Sequence, residues 1–325
     1  SLDEESWGRD ALNAHSEICS YASTRWLPVK MSFGVHLPVH ARYSYAEVEK
    51  AAVLADRLGF RSLWVGDHFF LPPQSYERIG GDPARPDKLE AWPVLAALAA
   101  RTQRITLGTR VSPIPFYLPG RLAKVVTTVD VISKGRAVLG VGAGWHREEA
   151  VAYGLPWAPF KTRVAQMLEG FEVITRLWTE ERTTFKGRYF RVEEAPCFPK
   201  PVQKPRPPIF FGGNAPRILD AAGRRGEGWL PSTDMPVDEL KLRVSRVFAA
   251  AAQASRDRDA VTITASLTYP GGIGMSPRDW LEKVREMASL GVTQTILDLS
   301  QMSAPPDEGL DLLERFAVHV LPVYA

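Results

Sequence analysis

Apolar and polar positions alternate along this chain in a repeated order: a short apolar run, a polar break, then a stretch with helical spacing. "SFGVHLP" is followed by the amphipathic "YAEVEKAAVLADRLG", and "RSLWVGDHF" by a loop rich in Pro, Gly and Asp and then "EAWPVLAALAART". "RITLGTRVSPI" precedes "PGRLAKVVTTVDVIS", and "AVLGVGAGW" precedes "TRVAQMLEGFEVITRLWTE". The second half repeats the order, with "PPIFFGG" before "PRILDAAGRRG", "GWLPS" before "VDELKLRVSRVFAAAAQAS", "AVTITASLTYP" before "PRDWLEKVREMASLG" and "QTILDLS" before "GLDLLERFAVHVL". Apolar runs of this length read as strands buried on both faces, and the 3.6-residue periods read as crossover helices. Strict alternation predicts a parallel sheet, and eight units predict closure into an α/β fold of the eight-stranded parallel β/α (TIM) barrel type.

One connection breaks the rhythm. "ERTTFKGRYFRVEEAPCFPKPVQKPRPP" lies between the fourth helix and the fifth strand and is too long and proline-rich for a barrel loop. Its first part predicts a hairpin turning at Lys186-Gly187, and the proline run an extended strap. The barrel is expected over residues 31–325. Residues 1–30 lack the basic start and apolar middle of a signal peptide and read as an extension before it.

Composition narrows the function classes. Forty basic residues against thirty-seven acidic ones leave a net charge of +3, scattered without long runs, which argues against nucleic acid or an anionic membrane as partner. Cys19 and Cys197 are far apart and form no metal-spacing motif, which suits a reducing cytoplasm. No apolar run approaches the roughly 18 residues that span a bilayer.

In such barrels the working groups lie at the carboxyl ends of the strands. Those ends carry His36 and then His40, Asp67 with His68, Arg110, and the glycine run Gly140, Gly142, Gly144 with Trp145 and His146. Further round come Gly212-Gly213-Asn214, Ser232-Thr233 and Asp298. The glycines repeat at the period of a strand, so one face of that strand is nearly bare, either to receive something flat or only to make a tight turn. Trp145 stands where the third glycine of a dinucleotide fingerprint belongs, so that fingerprint is absent. Asp67-His68 is the sharpest acid–base candidate, although neighbouring strand residues point to opposite faces and one of the two can be structural. His36 fits a satisfied core histidine as well as a functional one, and Trp145 fits core filling equally well. In "GGNAPRI" two glycines expose amides, Asn214 can cap the following helix, and Pro216 fits its first turn, which makes an anion seat that Ser232 and Thr233 can extend.

Five motifs in this order, "LWVGDHF", "ITLGTRVSPIPF", "GRAVLGVGAGW", "PPIFFGGNAPRIL" and "GEGWLPS", resemble the bacterial luciferase-like monooxygenases and F420-dependent oxidoreductases, over nearly all of the chain from Met31 onward. The resemblance implies coenzyme F420, or alternatively FMN, bound at the carboxyl mouth with its rings against strands two to four. It implies that Asp67 and His68 lie beside the ring and take part in proton transfer, and that Arg110–Val111 is a non-proline cis peptide behind it. Gly142, Ala143 and Gly144 would line the same mouth, as would His36. Gly212, Gly213 and Asn214 would hold the phosphate, with Ser232 beside them. Where the family's sugar-phosphate dehydrogenases carry a catalytic glutamate this chain has Trp145, which does not support that substrate class. The expected activity is hydride transfer to or from a small organic substrate, or its oxygenation, by a cytoplasmic homodimer. Two other readings stay open: a flavin-binding protein without turnover, and a metal-dependent hydrolase using His36, His40, Asp67, His68 and Asp298.

Overall fold

The computed structural model describes residues 31–40, 42–232, 235–267, 275–303 and 305–324; residues 1–30 and Thr233 lie outside the described residues. Eight parallel strands form the centre: β1 (Ser32–Leu37), β2 (Ser62–Val65), β3 (Thr106–Thr109), β4 (Ala137–Gly142), β5 (Ile209–Gly212), β6 (Gly228–Leu230), β7 (Thr262–Leu267) and β8 (Gln294–Asp298). Each strand pairs with the next in chain order. The ring closes where β1 meets β8, with Ser32 opposite Gln294 and His36 opposite Asp298. The closed barrel and its eight strands match the expected fold.

The helices α1 (Tyr45–Leu58), α2 (Ala91–Arg101), α3 (Pro119–Ile132), α4 (Phe160–Thr179), α5 (Pro216–Arg225), α6 (Val237–Gln253), α7 (Pro277–Ser289) and α8 (Pro306–His319) surround it. Their starts follow from local chemistry. Ser44 and Glu47 form a reciprocal capping box on α1, and Ser276 and Asp279 do the same on α7. Proline occupies the first turn of α3, α5, α7 and α8, where its missing N–H costs nothing.

Two layers hold the strands. The helices cover the outside, while Trp64, Val138, Phe210, Leu230 and Ile296 fill the barrel interior as a separate apolar cluster. Gly108 on β3 is required by that filling, because a Cβ there would lie 2.7 Å from the Trp64 indole. Burying both faces of every strand explains the near-continuous apolar runs in the sequence.

The third apolar run is interrupted. β3 stops at Thr109, the Arg110–Val111 peptide is cis as the resemblance implied, and Ser112–Pro113 resumes pairing, against Val141 and Gly142 of β4. The excursion forms the expected hairpin from Arg182–Lys186 and Arg191–Pro196. Its turn spans residues 187–190 and not only Lys186-Gly187, because the Glu169 carboxylate on α4 accepts the amides of Arg188, Tyr189 and Phe190. The strap after it is fastened by Gln203, whose side-chain amide donates to Asp130 and to the Ala137 carbonyl, both at 2.7 Å. Among the described residues no helix is long and apolar enough to cross a membrane.

Candidate active site

The carboxyl ends of the strands open into a cavity of about 530 Å³. His36, His68, Arg110, Val111, Gly142, Ala143, Gly144, Gly212, Gly213, Asn214, Ser232 and Asp298 all line it, so the structure brings nearly every expected residue together. Asp67 is the exception. It follows β2 and turns away from the cavity, where its buried carboxylate accepts from the Tyr117 hydroxyl at 2.8 Å and from the Ser112 hydroxyl. Burial raises its pKa against the pull of those two hydrogen bonds. The alternation of a strand thus separates the pair: His68 faces the cavity and Asp67 ties the end of β2 to the segment after the cis peptide.

The acid that serves His68 is Glu149, from the short helix Arg147–Ala152 that follows the glycine run. Its Oε2 accepts from His68 Nδ1 at 2.8 Å, while its other oxygen takes the Phe69 amide. Glu149 is only 1% exposed, so this carboxylate is fixed from both sides. With Nδ1 donating to an acceptor-only group, Nε2 is the atom of His68 left to exchange a proton. Trp145 is 60% exposed and meets His68 edge-on with ring centroids 5.4 Å apart, so it lines the mouth and does not fill the core. His146 is buried behind them, and burial lowers its pKa.

A second cluster joins β1, β3 and β8. Asp298 receives Arg110 Nη1 at 3.1 Å, His36 Nδ1 at 3.1 Å and the Ser300 hydroxyl at 2.6 Å. Burial of Asp298 opposes its ionisation, yet the attraction of His36 and Arg110 and the Ser300 hydrogen bond hold its carboxyl well below the usual carboxylate range. Burial also lowers the pKa of His36 despite Asp298, and Arg110 Nη1 lies 3.4 Å from the same Nδ1. His36 is therefore neither an inert core residue nor a lone ligand.

The bare glycine face receives a side chain of the protein itself. Val111 packs against it: a Cβ on Gly212 would lie 2.6 Å from Val111 Cγ1, and one on Gly142 would collide with Cγ2. Val111 thereby forms the floor of the cavity at its centre.

At the far wall, α5 starts without the expected cap. Ala215 is the N-cap and offers no side-chain acceptor. Asn214 instead donates from Nδ2 to Ser232 Oγ at 3.0 Å, bridging the ends of β5 and β6. Gly213 adopts a φ of 114°, a left-handed conformation suited to glycine. The uncapped first turn, with its dipole, borders the cavity beside Gly212, Gly213 and Ser232, which keeps the features of an anion seat.

The five residues of the metal-hydrolase reading do not converge on one point. Asp67 faces elsewhere, and His40 Nε2 bonds the Ser300 carbonyl at 3.0 Å. Among the described residues the one group of three potential ligands is a different set, His68, His146 and Glu149. Arg217 and Lys241 are exposed and do not line the cavity, whereas Lys88 and Arg78 do. Sequence reasoning missed Glu149 and Lys88. The acids after Trp145-His146 were a visible signal for Glu149, but Lys88 sits in a loop without periodicity.

The sequence profile of the luciferase-like monooxygenases matches residues 30–270. An F420-dependent glucose-6-phosphate dehydrogenase from Intrasporangium calvum is 33% identical over 256 residues, which span 76% of this chain and 71% of the relative. Among solved structures, a monooxygenase from Streptomyces bottropensis superimposes with a TM-score of 0.73 at 24% identity, covering 91% of this chain and 100% of that one. An F420-dependent secondary alcohol dehydrogenase in complex with an F420-acetone adduct gives 0.76 at 20% identity, with 91% and 99% covered. These two share the fold. The eight-stranded barrel, its polar mouth and the profile match together mean that the chain belongs to the luciferase-like monooxygenase family, as an enzyme of its oxidoreductase class.

Proposed function

We propose that the chain binds coenzyme F420 at the barrel mouth and catalyses hydride transfer between it and a small organic substrate, with His68 carrying the accompanying proton. The observation that carries this reading is the His68–Glu149 pair on the cavity wall: a buried carboxylate orients the ring and leaves Nε2 to work. The F420-dependent relative supports the choice of cofactor. When bound, the deazaflavin supplies hydride exchange, which no side chain provides.

The residues present fit such a group. Val111 and the Gly142–Gly144 segment make an apolar floor and wall for a flat ring system. Arg110 is held in place by Asp298 and Ser266, and donates hydrogen bonds at the cavity edge. Gly212, Gly213, Asn214 and Ser232 would hold a phosphate at the uncapped start of α5. Asp67 acts by position, since its bonds to Ser112 and Tyr117 fix the segment from which Val111 projects. Trp145 closes the mouth beside His68 and gives the site no glutamate there, so glucose 6-phosphate is not carried over as the substrate.

Titration of the purified chain with F420 and, separately, FMN, followed by cofactor fluorescence, tests the reading. Saturable binding of F420, at least tenfold tighter than FMN, is expected. Preference for FMN would move the reaction to flavin chemistry, and binding of neither would contradict the proposal.

A further inference from the structure

β1, β2 and β8 are neighbours in the ring, and beside them the cavity is built from residues that the cofactor reading leaves largely unused: His40, Arg78, Lys88, Ser300 and Gln301, with His36 at the border. Lys88 comes from the connection of residues 71–90, a loop that includes the short helix Pro73–Arg78. That loop closes on the end of β1 through a bridge between His40 and Lys88 and a 2.8 Å hydrogen bond from the Leu89 amide to the Val39 carbonyl. The closure carries the ammonium group inward to Gly66. A Cβ built on Gly66 would lie 3.9 Å from Lys88 Nζ and 3.7 Å from His36 Nε2.

Among the described residues Lys88 Nζ has no hydrogen-bond or ion-pair partner. The carboxylates of Asp67 and Glu149 attract it from a distance without pairing with it. His40 donates from Nε2 to the Ser300 carbonyl and is held neutral by burial, its pKa lowered to about 4. Burial lowers the pKa of His36 too, and the buried nitrogens His36 Nε2 and His40 Nδ1 lack hydrogen-bond partners. Asp298, the carboxylate lining this region, is already matched by Arg110. A cation largely withdrawn from water with no direct ion pair is costly, so a site that keeps one is arranged for a charge that arrives with the ligand. Arg78, bonded to Gln301 at 2.6 Å, adds a second cation at the outer edge. Leu37, Val39, Leu71 and Ile79 line the same region with apolar surface.

We propose that Lys88 anchors the carboxylate of the substrate, so that this enzyme acts on small carboxylic acids whose apolar body lies against Val39, Leu71 and Ile79. The inference rests on the cofactor reading for the reaction that the acid undergoes. One inward ammonium, with Arg78 at the outer edge bonded to Gln301, suits a monoanionic carboxylate better than a phosphate dianion, which takes several donors.

Calorimetric titration of the cofactor-free chain with benzoate, benzamide and inorganic phosphate tests it, in wild type, Lys88→Gln and Lys88→Arg. Benzoate is expected to bind at least tenfold tighter than its neutral isostere. Lys88→Gln should erase that difference and Lys88→Arg should keep part of it. Lys88→Gln removes no intramolecular bond, so its circular dichroism and Tm should match wild type; if it fails to fold, wild type and Lys88→Arg still decide. Equal binding of benzoate and benzamide, unchanged benzoate affinity in Lys88→Gln, or phosphate bound tighter than benzoate would each overturn the proposal. F420 affinity should change less than threefold in Lys88→Gln; a larger loss with benzoate binding intact gives Lys88 to the cofactor and overturns it as well. If no protein in the series binds F420, the cofactor reading fails by itself, while the benzoate comparison still judges Lys88.

Discussion

The two ends of the barrel treat buried polar groups in opposite ways. At the amino end, Arg136 just before β4 spends all of its donors inside the protein: Nε goes to the Ser133 carbonyl, Nη1 to the Thr102 hydroxyl and the Ile105 carbonyl, and Nη2 to the carbonyls of Ala99 and Thr102. Asp56 similarly accepts the amides of Gln103, Arg104 and Ile105 just before β3. At the carboxyl end, His36 Nε2, His40 Nδ1 and His146 Nδ1 are buried without hydrogen-bond partners, and Lys88 has no direct ion-pair partner among the described residues. Thus saturated, Arg136 and Asp56 hold the structure together, whereas the unpaired nitrogens of His36 and His40 lie at the mouth, where a ligand reaches them. What a polar residue's donors and acceptors already do therefore says more about its role than its type does.

Three substitutions or titrations probe that contrast, the largest effect coming first. Arg136→Met should lower unfolding free energy by about 2–4 kcal/mol, because it strands several carbonyls at once. Denaturant melts would measure this, and cofactor affinity of the folded protein should stay as in wild type. A loss of cofactor binding without loss of stability would break the division between the two ends. Glu149→Gln keeps an oxygen for the Phe69 amide but removes the charge facing His68. Turnover should fall about ten- to a hundredfold, the worth of a hydrogen bond to a charged group, while the melting curve moves little. A large stability loss with normal turnover would place Glu149 with the saturated groups.

The smallest effect is in pH. Burial lowers the Lys88 pKa to about 8 against the opposing pull of Asp67 and Glu149, and it lowers the pKa values of the facing His36 and His40 rings as well. The protonated form binds an anion, so benzoate affinity should be level below about pH 7 and fall as pH rises through about 8. Lys88→Gln should flatten the profile. A wild-type profile that is level through pH 9 would remove Lys88 from the contrast.

The barrel was legible in the sequence because its eight apolar runs answer to a local rule: strands buried on both faces cannot alternate. Mouth residues were legible because position at a strand's end is also local. What escaped depends on contacts between distant segments. His68 meets Glu149 across 81 positions, and nothing in "WHREE" alone says which of its acids turns inward. Asn214 looked like a helix cap until Ser232, 18 residues away, took its side chain. The glycines of β4 announced an empty face, but only the fold shows Val111 packed against it. Lys88 is one charge in an aperiodic loop, and its burial follows from the bridge to His40.

The central claim is that the mouth performs chemistry with His68 while the opposite end supplies stability. Parallel measurement of turnover, F420 affinity and Tm in His68→Ala tests it most directly. The account predicts turnover lower by about 10²–10⁴-fold, the usual worth of a positioned acid or base, with F420 affinity within about tenfold and Tm near wild type. Turnover per folded molecule equal to wild type, with Tm or cofactor affinity collapsed, would contradict it.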